Sequence, residues 1–112
     1  MNKKEIEKLQ KQIQQVKKHL AEIEDLRPGS LSTQYNVCGN PTCRCKRTDN
    51  PLKHGPYYQL SYTRKGRHTT EFVKAEDVQE VQLQLQNYQL LKNLIDEWVD
   101  LSLTIARLRR GK

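Results

Sequence analysis

Apolar residues between Lys3 and Leu26 recur in alternating steps of three and four positions, which is the spacing of a heptad repeat. These residues are Ile6, Leu9, Ile13, Val16, Leu20 and Ile23. The positions between them are polar, so the pattern predicts a helix that pairs with one or more other helices. Arg27-Pro28-Gly29 ends this helix, because proline disfavours helical geometry at the residue before it.

A second and longer helix is predicted from Lys74 to about Leu108. Its apolar residues again recur in steps of three and four, and additional ones such as Leu103 widen the stripe. A wider stripe indicates more than one neighbour. The spacing allows the two helices to pair within one chain or between chains. We expect a homodimer, because the second helix has more apolar surface than one partner buries.

Three segments between the helices are rich in the β-branched and aromatic residues of strands. They span Ser30–Val37, Tyr57–Thr63 and His68–Val73. The last two are joined by Arg64-Lys65-Gly66-Arg67, a turn in which glycine can take positive φ. The pattern therefore predicts an α+β fold with a coiled-coil-like N-terminal helix, a three-stranded antiparallel meander and a long C-terminal helix. The corresponding domain segments are 1–27, 28–74 and 75–112.

Three cysteines and a histidine lie in the connection after the first predicted strand, with the spacing C-x4-C-x-C-x8-H. Thiolates and an imidazole are the usual structural ligands of Zn²⁺, which binds four of them as a tetrahedron. The candidate ligands are Cys38, Cys43, Cys45 and His54. The sequence therefore predicts a structural zinc that pins the first connection of the meander.

Other interpretations of this cluster remain open. His68, Asp49 or a residue of a second chain could replace His54 as the fourth ligand. A disulfide would leave one thiol over, and three inert buried thiols are a further alternative. The N-terminus is charged and has no apolar run of a signal peptide, which favours a reducing cytoplasm and metal binding. Four ligands leave no open position for water, so we expect a non-catalytic protein.

The chain contains the motifs CGNPTCRC and HGPYYQLSY, followed by a glycine-centred turn and TTEFV. They resemble a family of small uncharacterised prokaryotic proteins with a C-G-x-P-x-C-R-C…H-G-P-Y-Y-x-L-S-Y signature. The resemblance covers about residues 28 to 100. It supports the metal site, implies no established activity, and implies a frequent location beside mobile elements.

The length of 112 residues leaves room for one domain, and a hydrophobic fraction of 35% indicates a small core. A bound metal and helix pairing are therefore expected to add stability. No apolar run approaches the length of a membrane span, and no membrane partner is expected.

The net charge is +7. Residues 27–74 contain nine basic residues against Asp49 and Glu71, so the whole excess lies in the central segment.

This charge distribution favours nucleic-acid binding, with DNA expected rather than RNA. A two-stranded ribbon fits the major groove of a duplex, and cations at its turn would reach bases or phosphates. Tyrosines would stack on bases if the target is single-stranded, with Tyr58 and Tyr62 as further candidates beside Tyr57. The predicted contact residues are Arg44, Lys46, Arg47, Lys53, Tyr57, Arg64, Lys65 and Arg67. The alternative is a protein assembly module, in which the helices bind a partner and the meander is a structural cap.

Overall fold

The structure, a computed structural model, describes residues 2–36, 40–46 and 53–110. It has a helix at each end and three strands between them, which confirms the predicted α+β fold. The elements are α1 Asn2–Glu22, β1 Ser30–Asn36, β2 His54–Arg64, β3 Arg67–Val73 and α2 Val78–Arg110, with 3-10 segments at Arg44–Lys46 and Ala75–Asp77. The chain forms two compact units. The helical unit comprises Met1–Arg27 and Gln86–Lys112, and the sheet unit comprises Pro28–Leu85.

In the helical unit, α1 pairs antiparallel with the later part of α2 of the same chain. The Asn2 side chain donates a hydrogen bond to the Leu108 carbonyl at 3.2 Å, and Asn87 donates one to the Asp25 carbonyl at 2.8 Å. The heptad residues of α1 face inward, with Ile13 and Val16 buried. The spacing of apolar residues thus selects the packed face of the helix. Among the helices that the structure describes, none has an apolar stretch long enough to cross a membrane.

The first helix ends at Glu22, before the predicted end at Leu26. The following residues are not helical, although Ile23 remains half-buried. The carbonyl of Asp25 accepts its hydrogen bond from Asn87, which is remote in sequence. The chain therefore leaves the helix before Pro28, and the Asp25 carbonyl keeps a hydrogen bond through a residue of α2.

The sheet unit contains an antiparallel sheet with the strand order β1-β2-β3, so β2 is central. Leu60 of β2 lies opposite Leu31 of β1 and Glu71 of β3. The strand β2 begins at His54, three residues before the predicted start. Pro56 is tolerated there because β1 changes register between Gln34 and Asn36 and β3 pairs only from Tyr58 onward.

The connection between β2 and β3 is a turn, as predicted, but each strand extends one residue further and the loop is only two residues long. Arg64 and Arg67 form the last strand pair, and Lys65 and Gly66 have φ values of 52° and 78°. Positive φ at both central residues is the requirement of a type I′ turn, whose twist matches that of the flanking strands.

The two faces of the sheet differ in burial. On one face Leu60 is only 1% exposed, and its neighbours Leu31, Tyr58, Tyr62 and Val73 are half-buried. Val81 in the first turns of α2 is the other buried aliphatic residue that the structure describes in this unit. The core of the sheet unit is therefore small. On the opposite face, Phe72 is 77% exposed.

Candidate metal centre and basic hairpin

The metal loop, residues 38–54, contains a tight turn that positions two of its cysteines. The Asn40 side-chain oxygen accepts hydrogen bonds from the backbone N–H and the hydroxyl of Thr42, at 3.0 and 2.8 Å. The Cys43 N–H donates to the Asn40 carbonyl, and the Lys46 N–H donates to the Cys43 carbonyl. Asparagine side chains commonly close turns in this way. Cys43 and Cys45 are consequently held on a short, well-bonded segment.

His54 reaches this segment from the start of β2. The residue after it, Gly55, has a φ of +136° and lies against β1. A Cβ atom at this position would be 2.8 Å from the Gln34 carbonyl oxygen and 3.0 Å from a ring carbon of Tyr35. Only glycine allows this close approach at such a φ. Gly55 therefore fixes the position from which His54 turns toward the cysteines.

Cys43, Cys45 and His54 converge, with their ligand atoms all within 4.8 Å of one another. The Cys43 Sγ lies 3.1 Å from His54 Nε2. Bond lengths of about 2.3 Å for Zn–S and about 2.0 Å for Zn–N place tetrahedral ligand atoms roughly 3.5–3.8 Å apart. Small side-chain shifts would therefore bring these three atoms into coordination geometry. The group is accordingly a candidate metal site.

The fourth predicted ligand, Cys38, lies outside the described residues, as does the alternative Asp49. The other alternative, His68, lies on β3, where its ring is within hydrogen-bond distance of the hydroxyls of Thr63 and Thr70, at 3.2 and 3.5 Å. The structure thus places His54 with the cysteines and His68 among strand hydroxyls. Cys45 is 3% exposed, whereas His54 is exposed, so the site lies at the surface of the sheet unit.

The predicted nucleic-acid contacts of the sheet unit are exposed wherever the structure describes them. Arg44 and Lys46 lie on the 3-10 segment of the metal loop, and Lys53 directly precedes β2. At the other end of β2, the hairpin tip consists of Arg64, Lys65, Gly66 and Arg67. Arg47 lies outside the described residues. The cations therefore form two groups, one at each end of the central strand.

The three candidate stacking tyrosines do not share a face. Tyr57 is 40% exposed and lies on the face of Phe72. Tyr58 and Tyr62 are half-buried on the face of Leu60, where the Tyr62 hydroxyl donates a hydrogen bond to Glu71 at 2.7 Å. Of the three, Tyr57 is the tyrosine placed for contact with a ligand on the exposed face.

Phe72 is a candidate contact that the sequence interpretation missed. It lies opposite Gln59 and on the same face as Tyr57. The signal was present, because Phe72 has the same strand parity as His68 and Thr70, which are polar. A phenylalanine on the polar side of a strand is a candidate contact residue rather than core.

Comparison with known proteins gives the family. Residues 6–83 match the family model described as Domain of unknown function (DUF6788). The chain belongs to this family. The DUF6788 match covers most of α1, the whole sheet and the start of α2, which confirms the expectation of an uncharacterised family. A search of curated proteins and a search of solved structures each found no match.

Proposed function

We propose that this chain is a small, non-catalytic, zinc-stabilised nucleic-acid-binding protein. The observation that carries the proposal is the construction of β2, an 11-residue strand with the candidate metal ligand His54 at its first position and the cation Arg64 at its last. A strand of this length spans roughly 34 Å. A metal at one end would stiffen the strand that presents the hairpin tip at the other.

The donor set supports zinc as the metal. Two thiolates and one imidazole favour zinc over Mg²⁺ or Ca²⁺, which prefer oxygen ligands. Cys38 would complete a four-ligand set and leave no position for a catalytic water. The small core around Leu60 and Val81 supports a structural role, because small domains depend on metals or other cross-links for stability.

The arrangement of cations supports nucleic acid as the partner. Exposed lysine and arginine side chains supply the phosphate contacts that dominate affinity for nucleic acids. They stand at both ends of β2, and the acidic residues of segment 27–74 are only Asp49 and Glu71. The expected proximity to mobile elements favours DNA over RNA as the target.

An exposed apolar surface on α2 supports dimerisation. Ile95, Val99 and Leu103 are 44%, 49% and 57% exposed and lie at intervals of four along one side of the helix. With Trp98 and Ser102 they line a groove of about 430 Å³. We propose a second copy of the chain as its occupant.

Charge complementarity supports this occupant. At 100° per residue, Asp96, Asp100 and Arg107 lie along the same edge of the groove. In an antiparallel pair of identical helices, the same edges of the two copies face each other. With the two-fold axis beside Ser102, Asp96 of one copy would lie opposite Arg107 of the other. A dimer would also present two sheet units to one nucleic acid.

The alternative function is an assembly module, and the observation that favours it is the same apolar groove on α2. A salt titration of nucleic-acid binding separates the two. Fluorescence anisotropy with labelled single- and double-stranded oligonucleotides between 50 and 300 mM salt should show affinity falling steeply as salt rises. Absence of binding at low salt would reject nucleic acid as the partner and favour the assembly module.

The contact residues are tested with charge-matched variants. Arg64→Ala combined with Arg67→Ala should weaken binding and reduce the slope of log K against log salt by about 2, because two phosphate contacts are removed. Lys11→Ala combined with Lys18→Ala removes the same charge from exposed positions of α1. This control should leave the slope nearly unchanged. Equal effects of both double variants would show that net charge rather than the hairpin tip determines binding.

A further inference from the structure

The sheet has an open face, defined here as the face opposite Leu60. Its side chains come from alternating positions of all three strands and contain no acidic and no aliphatic residue. They are Ser30, Ser32, Gln34, Tyr57, Gln59, Ser61, Thr63, His68, Thr70 and Phe72. An uncharged, hydroxyl-rich surface with two exposed aromatic rings is suited to contact with a ligand rather than to a core.

The two aromatic rings of the open face are diagonal neighbours. Phe72 is directly opposite Gln59, and Tyr57 precedes Gln59 by two positions on the same strand. Diagonal residues on adjacent antiparallel strands lie roughly 7–8 Å apart, within reach of aromatic side chains. Phe72 is 77% and Tyr57 40% exposed, so the two rings lie side by side and accessible to solvent.

Polar side chains continue the open face from the rings toward the hairpin tip. The hydroxyls of Ser61 and Thr70 are 3.4 Å apart, and the His68 ring lies within hydrogen-bond distance of Thr70 and Thr63. These groups both donate and accept hydrogen bonds, as the edges of nucleic-acid bases do. Beyond Thr63 lies the hairpin tip, with Lys65 on its turn, while Arg64 and Arg67 have the strand parity of Leu60 and belong to the opposite face. Lys53 lies beyond the aromatic end.

The order of aromatic rings, polar groups and flanking cations along the open face fits single-stranded nucleic acid better than a duplex. In a duplex the faces of the bases are stacked, and a protein reaches only their edges in the grooves. Exposed aromatic rings on a sheet are well suited to stack on bases that are unpaired. A partner protein would need an acidic surface to match the cations at both ends of β2, whereas every nucleic acid supplies phosphates.

We propose that the open face binds single-stranded nucleic acid, with Phe72 and Tyr57 each stacking on an unpaired base and the flanking cations contacting phosphates. The inference rests on the proposed nucleic-acid function and specifies its ligand. The shared chemistry, an unpaired base on a charged backbone, is common to single-stranded DNA and RNA.

The test compares the affinities of the zinc-loaded full chain for a labelled single-stranded DNA, an RNA of the same sequence and the corresponding DNA duplex. Phe72→Ala should weaken single-strand binding roughly 5- to 150-fold, the effect of losing one stacked base, and leave duplex binding unchanged. Phe72→Tyr keeps a ring and should retain affinity. Leu83→Ala, which shortens an apolar side chain that is 56% exposed on α2, is the matched control and should have no effect.

The outcomes separate this inference from the function on which it rests. If Arg64→Ala with Arg67→Ala weakens binding while Phe72→Ala does not, or if Phe72→Ala weakens single strand and duplex equally, the open face is not a stacking site and the proposed function stands. Absence of all nucleic-acid binding rejects both. If Phe72→Ala converts a dimer to a monomer without changing affinity, the face is an interface between copies and the inference is wrong.

A second measurement does not depend on the variants folding. Ultraviolet cross-linking of the unmodified chain to the single-stranded oligonucleotide, followed by mass spectrometry of the peptides, should place the cross-link on Phe72 or Tyr57. Cross-links confined to Tyr58 and Tyr62, which lie on the opposite face, would overturn the proposal.

Discussion

Cys43 Sγ lies 3.1 Å from His54 Nε2, although eleven positions separate the two residues in the chain. This contact joins the turn of the metal loop to the central strand of the sheet. With Cys45 close to both, two soft donors and an imidazole lie at one point of the surface. The stability of the sheet unit is therefore expected to depend on a bound metal.

Metal removal tests this dependence. We expect native mass spectrometry to find one zinc per chain in a dimer. Chelation should abolish the sheet while the paired helices persist, because structural zinc supplies about 10–16 kcal/mol in small zinc domains. Circular dichroism before and after chelation measures this. A metal-free protein that unfolds cooperatively at the same temperature would contradict the prediction.

The two histidines of the sheet unit should differ in their effect on metal binding. His54→Ala removes a ligand and should reduce zinc affinity by orders of magnitude. His68→Ala is the control, because the His68 ring lies beside the hydroxyls of Thr63 and Thr70 and is not part of the cluster of Cys43, Cys45 and His54. Competition with a chromogenic chelator gives both affinities. Retention of full affinity by His54→Ala would exclude His54 as a ligand.

Gly55→Ala should destabilise the sheet unit more than Gly66→Ala. At Gly55 the new Cβ would meet the Gln34 carbonyl and the Tyr35 ring, whereas at Gly66 it would meet nothing within 4 Å. Both substitutions place alanine at positive φ. This costs about 1–2 kcal/mol near the left-handed helical φ of Gly66, whereas the φ of +136° at Gly55 lies farther from that region and is less tolerant of a side chain. Urea denaturation measures both free energies of unfolding. Equal losses would show that the close approach at Gly55 is unimportant.

Val99→Glu should dissociate the proposed dimer. The substitution places a carboxylate at the centre of the apolar groove of α2, where burial of an unpaired charge costs several kcal/mol. Sedimentation equilibrium should report a monomer. Gln86→Glu adds the same charge at an exposed position of α2 away from the groove and should leave the subunit number unchanged. A dimer that survives Val99→Glu would place the interface elsewhere.

Much of the fold was predictable because its signals are local. The steps between Ile6 and Ile23 define the inner face of α1, and the glycine of Lys65-Gly66 specifies the hairpin turn. The true end of α1 was not predictable in the same way. The residues after Glu22 bond instead to α2, through Asn87 and Asp25, and no pattern near residue 22 reports a partner so far along the chain.

The candidate site was likewise predictable only where its signals are local. Cysteine and histidine spacing suggested the ligands, and the structure brings Cys43, Cys45 and His54 together. The role of Phe72 was hidden, because strand parity separates two faces without saying which one is covered. Only tertiary packing around Leu60 shows that Phe72 lies on the uncovered side.

Because His54 is also the first residue of β2, occupancy of the proposed metal site would be thermodynamically linked to fraying of the sheet. Local opening of the β1–β2 pairing would displace His54 and lose its share of the free energy of metal binding. A bound cation would therefore oppose this opening. Amide hydrogen exchange would then quicken first beside the metal loop in a zinc-poor cell, while the Lys65-Gly66 turn stayed closed. Zinc supply would in this way set the fraction of chains that present a complete sheet.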